Sequence, residues 1–199
     1  MRILAVSGSL RAGSYNTSLL RAAIEAAPEG VEVELWDGIG DLPIYDQDLE
    51  AVDPPDSVRR LREDWAAADA ILFSTPEYNG SVPGGLKNAV DWASRPIDGA
   101  ALRNKNVAVI GASTGQFGAM WAQADLRKVL GIAGARVVGD ELPVTRAPEK
   151  FDAKGTLLDA ELFELLRLTI ETLRDEGPLS RPLDPATSVD LAEALPAPA

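Results

Sequence analysis

The 199-residue sequence predicts an α/β fold, a three-layer sandwich with helices on both faces of a five-stranded parallel sheet of order 2-1-3-4-5. Three observations predict it. Five short apolar runs alternate with segments of helical period. Two of those runs, Ala70–Ser74 and Val107–Gly111, are apolar almost throughout, as in strands covered on both faces. The segments after the first, third and fourth runs are rich in glycine and hydroxyl residues, and in such sheets ligands bind beyond the carboxyl ends of the strands.

Each element follows in order. Arg2 to Val6 reads as a buried strand and Ser7 to Tyr15 as a Gly/Ser loop. Leu19, Leu20, Ala23, Ile24 and Ala27 keep helical spacing behind Asn16 as the N-cap, and Pro28 and Gly30 end that helix. Val31 to Trp36 alternates apolar and acidic residues, the pattern of a second strand. Asp37 to Pro55 is read as a long irregular stretch; loops of that length are usually functional. A helix follows over Ser57 to Ala67, a third strand over Ala70 to Ser74, and a polar loop over Thr75 to Val82. Pro83 occupies a first helical turn continued by Gly84 to Ser94. The fourth strand, Val107 to Gly111, leads through Ala112 to Gly118 into a helix from about Ala119 to Ile132. Arg136 to Val138 is a short fifth strand, and Asp159 to Asp175 a last amphipathic helix. The domain spans residues 1–176. Residues 177–199 are rich in Pro, Ala and acid, poor in large apolar side chains, and read as a mobile tail.

Composition narrows the function classes. The net charge is −12, from 31 acidic and 19 basic residues, so nucleic acid and anionic membranes are not expected partners. The sequence has no cysteine and no histidine. That removes thiol nucleophiles, Cys/His zinc sites and the commonest general base. A borrowed cofactor then carries the chemistry best. Met1 to Val6 is too short for a signal peptide, and no apolar run approaches the ~20 residues of a membrane helix, so a cytoplasmic location is expected.

The three loops supply complementary chemistry. The first, from Ser7 to Thr17, offers the hydroxyls of Ser9, Ser14 and Thr17, the amide of Asn16 and the guanidinium of Arg11 ahead of a helix N-terminus. That suits a phosphate. Neither the Gly-Lys-Ser/Thr ending of a P-loop nor G-x-G-x-x-G is present, which favours a monophosphate; a capped turn is the plainer alternative. In the second loop Tyr78 and the peptides of Glu77, Asn79 and Gly80 could hold a planar heteroaromatic ring. In the third, Ser113, Thr114 and Gln116 could bond the ring's edge. One loop for a phosphate and two for a ring have the shape of FMN.

The same segments resemble the NADPH-dependent FMN reductase family, which includes bacterial chromate and quinone reductases and azoreductase-like enzymes. The first match is Gly8-Ser9-Leu10-Arg11 with Ser14 and Asn16. The second is Pro76 through Gly84 followed by Leu86 through Trp92, and the third is Gly111 through Gly115 with Gly118, Ala122-Gln123 and Leu126-Arg127. The resemblance covers roughly residues 2–175. It implies a flavodoxin-like fold, bound FMN, NADPH or NADH as donor, and a homodimer or homotetramer. It implies that Ser9, Arg11, Ser14, Asn16 and Thr17 hold the phosphate, that Pro76, Glu77, Tyr78, Asn79 and Gly80 line the ring, and that Ser113 and Gly115 sit on its other side. Thr114, where many relatives carry proline, and Met120-Trp121, in place of a small residue and arginine, depart from the pattern.

The expected reaction is a ping-pong transfer of hydride or electrons from NAD(P)H to a small acceptor: a quinone, azo compound, metal oxyanion or free flavin. No side chain is nominated as a covalent or acid/base catalyst, and no metal is expected. Lys87 is a candidate to offset negative charge on reduced flavin, or a solvent-facing helix residue. Trp65 and Trp92 read as core, and Tyr45 as either a cover for the site or part of an ordered surface loop. The alternatives are a flavodoxin-type electron carrier docking to a protein, and a flavin-free binding protein for another phosphate ligand.

Overall fold

The computed structural model describes residues 1–176; the expected mobile tail, 177–199, lies outside the described residues. Six strands form one parallel sheet. β1 (Arg2–Ser7), β2 (Glu32–Trp36), β3 (Ala70–Ser74), β4 (Asn106–Ala112) and β5 (Arg136–Val137) take the expected order 2-1-3-4-5. β3 and β4 are buried at every position, as their apolar runs require.

Alternate strand residues feed two cores. Leu4, Val6, Ile71, Phe73, Val107 and Val109 face α3 (Asp56–Ala67), α4 (Gly84–Ala93) and α5 (Met120–Ile132). Ile3, Ala5, Leu72 and Ile110 face α1 (Tyr15–Glu25) and α7 (Ala160–Asp175). Trp65 and Trp92 are wholly buried in the first core, as expected of them.

Two local readings are corrected. Ser14, not Asn16, caps α1: its backbone is extended and its hydroxyl accepts from the Thr17 N–H at 3.4 Å. The stretch from Asp37 to Pro55 is not irregular throughout, for it holds a 3₁₀ turn at Gly38–Asp41 and the short helix α2 (Gln47–Val52). It is clamped to α4: Asn88 and Trp92 both donate to the Pro43 carbonyl, and Tyr45 packs edge-on against Trp92 at 4.9 Å. Tyr45 therefore belongs to this packing. Its hydroxyl donates to Glu50, and that bond holds its pKa above the ordinary tyrosine value.

A sixth strand, β6 (Leu142–Val144), continues the sheet edge beyond β5, pairing with the carboxyl half of β4. Asn106 lies opposite Arg136 and Ile110 opposite Leu142, so four steps along β4 match six along this edge. Pro143 disguised the strand, since proline within an apolar run argues against a central strand but is tolerated at an edge. The helical turn α6 (Ala147–Lys150) follows. Among the described residues no helix is long and apolar enough to cross a membrane.

Candidate active site

The carboxyl ends of β3 and β4 are tied to the start of α1 by one side chain. Asn16, in the first turn of α1 and 3% exposed, donates from Nδ2 to the Ala112 carbonyl and accepts from the Ala112 N–H at Oδ1, each at 2.9 Å. The same Oδ1 accepts from the Ser74 hydroxyl at 2.9 Å. Ser74 opens the second loop and Ala112 the third, so the N-terminus of α1 is fixed over both. A main-chain bond from Gly8 to the Ser74 carbonyl, 2.8 Å, reinforces this. Gly8 is closely packed, for a Cβ would stand 2.8 Å from Leu86 Cδ2 and 3.2 Å from Pro76 Cδ and would require the Leu86 side chain to shift.

Five of the expected phosphate residues thus sit in one loop-to-helix segment, with different roles. Thr17 Oγ1 lies 2.9 Å from Ser7 Oγ, and Ser9 Oγ accepts weakly from the Arg11 N–H at 3.4 Å; both hydroxyls stay partly exposed. Arg11 is exposed, with its guanidinium 5.8 Å from the Tyr15 ring centroid. The Ser14 hydroxyl is buried as the cap, and the Asn16 amide is fully engaged in the tether. Of the first-turn N–H groups of α1, that of Thr17 is taken by the Ser14 hydroxyl, while those of Tyr15 and Asn16 have no intrahelical acceptor.

The second loop is a tight hairpin. Tyr78 and Ser81 exchange main-chain bonds at 3.1 and 3.2 Å around Asn79 and Gly80, whose φ values are 54° and 76°. Two successive positive φ angles make the Asn-Gly pair the natural choice. Tyr78 is half-exposed, and a Cβ on Gly80 would meet nothing within 4 Å, so the loop's outer face is open to a ligand. Pro76 leads into the loop partly buried. Glu77 has a role the sequence did not disclose: its carboxylate accepts from the N–H groups of Trp121 and Ala122 at 3.1 and 3.2 Å. It caps α5, whose own N-cap residue, Ala119, has no side chain to do so.

The third loop is braced from the sheet edge. Ser113 N–H donates to the Val144 carbonyl, and the N–H groups of Arg146 and Ala147 donate to the carbonyls of Gly115 and Ser113, at 2.9 to 3.0 Å. β6 and the turn after it therefore set the position of Ser113 and Gly115. Gly118 closes the loop at φ 57°, where a Cβ would stand 2.5 Å from the Pro143 carbonyl carbon. Gln123, fully buried, joins this turn to β6 by bonds to the Gly118 carbonyl and the Leu142 N–H. Lys87 pairs with Asp91 one turn along α4 at 2.7 Å, the helix-surface alternative foreseen for it.

Hydroxyls, an arginine and free helix N–H groups on one loop, with an open hairpin and a braced polar loop beside it, form a donor set that fits a phosphate joined to a flat ring. Comparison with known proteins agrees. Residues 1–149 match the family model for NADPH-dependent FMN reductase. The chain is similar to an NAD(P)H-dependent FMN reductase of Pseudomonas aeruginosa, 43% identical over 175 residues, covering 87% of this chain and 94% of that protein. It is also similar to a quinone reductase of Pseudomonas putida, 41% identical over 149 residues, 75% of this chain and 76% of the relative. Among solved structures, the flavoenzyme NAD(P)H:(acceptor) oxidoreductase FerB from Paracoccus denitrificans superposes with a TM-score of 0.80 at 36% identity, covering 88% of this chain and 98% of its own. A flavodoxin mutant from Pseudomonas aeruginosa, at TM-score 0.54 and 18% identity over 87% of this chain and 99% of its own, shares the fold.

Proposed function

The chain belongs to the NADPH-dependent FMN reductase family, and from that premise we propose an FMN-dependent NAD(P)H oxidoreductase that reduces quinones and similar small acceptors by a ping-pong cycle. The observation that carries the site assignment is the Asn16 tether, which brings the three ligand-facing loops to one end of the sheet. When bound, the flavin supplies the hydride chemistry, taking two electrons from a nicotinamide and passing them to the acceptor.

The chain's own residues bind and orient. Arg11, Ser9, Thr17 and the open N–H groups of α1 hold the phosphate; Ser14 and Asn16 shape that cradle. The Pro76–Gly80 hairpin backs the ring, with Glu77 fixing its height against α5, and Ser113 and Gly115 supply main-chain and hydroxyl groups on the other side. Prearranged donors at a ring edge that becomes negatively charged lower the barrier without reorganising during the reaction. No histidine is needed for such a transfer.

Assembly as a homodimer or homotetramer is part of the proposal. It is supported by a groove of about 690 Å³ between α4 and α5, where Val90 and Val129 lie beneath the exposed Ile97 and Ile132. Static light scattering on the purified chain measures this directly.

The site assignment is tested by titrating the protein with FMN and with riboflavin, which lacks the phosphate. Arg11→Ala with Thr17→Ala weakens FMN at least tenfold, as loss of charge-assisted contacts worth about 1.5–3 kcal/mol requires, and leaves riboflavin within twofold. Equal loss for both ligands contradicts the phosphate assignment.

A further inference from the structure

Phe117 and Trp121 form an exposed aromatic pair next to the flavin-facing hairpin. Their rings stand 4.8 Å apart at 55°, and they are 55% and 47% exposed. Large apolar side chains left together in water mark a place where something binds. This pair is also held still. Phe117 precedes two successive left-handed residues, Gly118 and Ala119, and its carbonyl accepts from the Met120 N–H at 3.0 Å. Gly118 is pressed against Pro143, and the Trp121 N–H is fixed by Glu77. Glu77 precedes Tyr78, itself 53% exposed, in the hairpin that backs the ring. The main chain that carries the pair is therefore anchored to the hairpin, which sets the pair's place beside it before anything binds.

Charge narrows what can bind there. The segment from Gln116 to Trp121 contains no charged side chain. On the Trp121 side the ionisable groups that flank it are carboxylates, Glu77 and Asp125, the latter one helical turn beyond Trp121 and bonded to Ser81 Oγ at 2.8 Å; Arg146, Glu149 and Lys150 lie on the far side, beside Gln116. The chain as a whole carries a net charge of −12. A sulfonated dye or metal oxyanion approaches against that field; an uncharged ring does not.

We propose that Phe117 and Trp121 form an acceptor-docking wall, at which uncharged planar aromatic acceptors bind in preference to anionic ones. This rests on the oxidoreductase reading above and adds an acceptor selectivity to it. The wall acts by stacking and takes no part in electron transfer itself.

The experiment uses FMN-loaded protein reduced anaerobically by one equivalent of NADPH, then mixed with menadione or with ferricyanide. The readout is the ratio of the two second-order rate constants for reoxidation. In Trp121→Ala and Phe117→Ala the menadione-to-ferricyanide ratio falls two- to tenfold, the range of an aromatic stacking contact. Trp121→Phe keeps it within twofold of wild type. Fluorescence gives a second reading, because Trp36, Trp65 and Trp92 are at most 6% exposed and Trp121 alone meets solvent. Menadione quenches tryptophan emission saturably in the oxidised wild-type holoprotein, and this saturable component disappears in Trp121→Phe. An unchanged ratio in both alanine variants, with FMN bound and reduced normally, overturns the wall. So does a loss of oligomeric state in those variants with the ratio unaltered, since the pair is then a contact between copies. Failure of wild-type protein to bind FMN or to be reduced by either NADPH or NADH overturns the oxidoreductase reading itself, and the wall with it.

Discussion

Asn16 and Ala112, 96 positions apart in sequence, exchange two hydrogen bonds of 2.9 Å, amide nitrogen to carbonyl and N–H to amide oxygen. A side-chain amide thereby imitates a strand neighbour and fastens the N-terminus of α1 to the last residue of β4. The Ser74 hydroxyl completes the bond set from β3. Asn16→Ala leaves these buried partners unmatched, at about 1–3 kcal/mol for each unsatisfied group. The expected loss is about 3 kcal/mol in urea unfolding, together with at least tenfold weaker FMN binding measured in native conditions.

Glu77 carries a second prediction. Because its carboxylate caps α5 from a different loop, Glu77→Ala frays the start of that helix and costs about 1 kcal/mol. Hydrogen exchange of the Trp121 and Ala122 amides, followed by mass spectrometry or NMR, accelerates selectively. Protection elsewhere in α5, at Leu126 and Leu130 in the core, is retained.

Two glycines with positive φ separate strain from crowding. At Gly118 a Cβ meets both an unfavourable φ and the backbone of Pro143, so Gly118→Ala costs about 2–4 kcal/mol. At Gly80 the φ is similarly positive but the space is open, so Gly80→Ala costs about 1 kcal/mol. Thermal or urea unfolding of the two variants side by side measures the difference.

Asp159 links stability to pH. It caps α7 by accepting from the Leu162 N–H at 3.0 Å, and Lys150 donates to the same carboxylate. The Lys150 hydrogen bond, then the backbone bond to Leu162, hold its pKa below the ordinary carboxylate value. A depressed folded-state pKa gives stabilisation that is complete above the ordinary range near pH 4 and is lost as pH falls through the folded value. Asp159→Ala is therefore expected to lower stability by about 1 kcal/mol at neutral pH. That difference shrinks as urea titrations are carried from pH 6 down to pH 3.

The sequence carried the frame of this molecule because the frame is written locally. The apolar runs Ala70–Ser74 and Val107–Gly111 can be read without knowing their partners, and the glycine- and hydroxyl-rich loops follow them directly. What escaped was decided at a distance. Asn16 looked like a helix cap because Asn is a good one; Ser14 took that place, and the longer amide reached two neighbouring strands instead. Glu77 caps a helix more than 40 residues away, a relation no local pattern encodes. β6 was hidden by Pro143 and by the two extra residues that break the edge after β5. The expected ligands divide likewise: Ser9, Arg11 and Thr17 keep partly or fully exposed side chains, while Ser14, Asn16 and Glu77 give theirs to the fold.

The most direct test of the central claim is anaerobic stopped-flow mixing of FMN-loaded protein with NADPH and, separately, with NADH, followed by a quinone. The account predicts rapid bleaching of the flavin's visible band by at least one nucleotide and recovery of that band when quinone is added. FMN that binds but is bleached by neither nucleotide would contradict the oxidoreductase assignment and favour an electron carrier of the same fold.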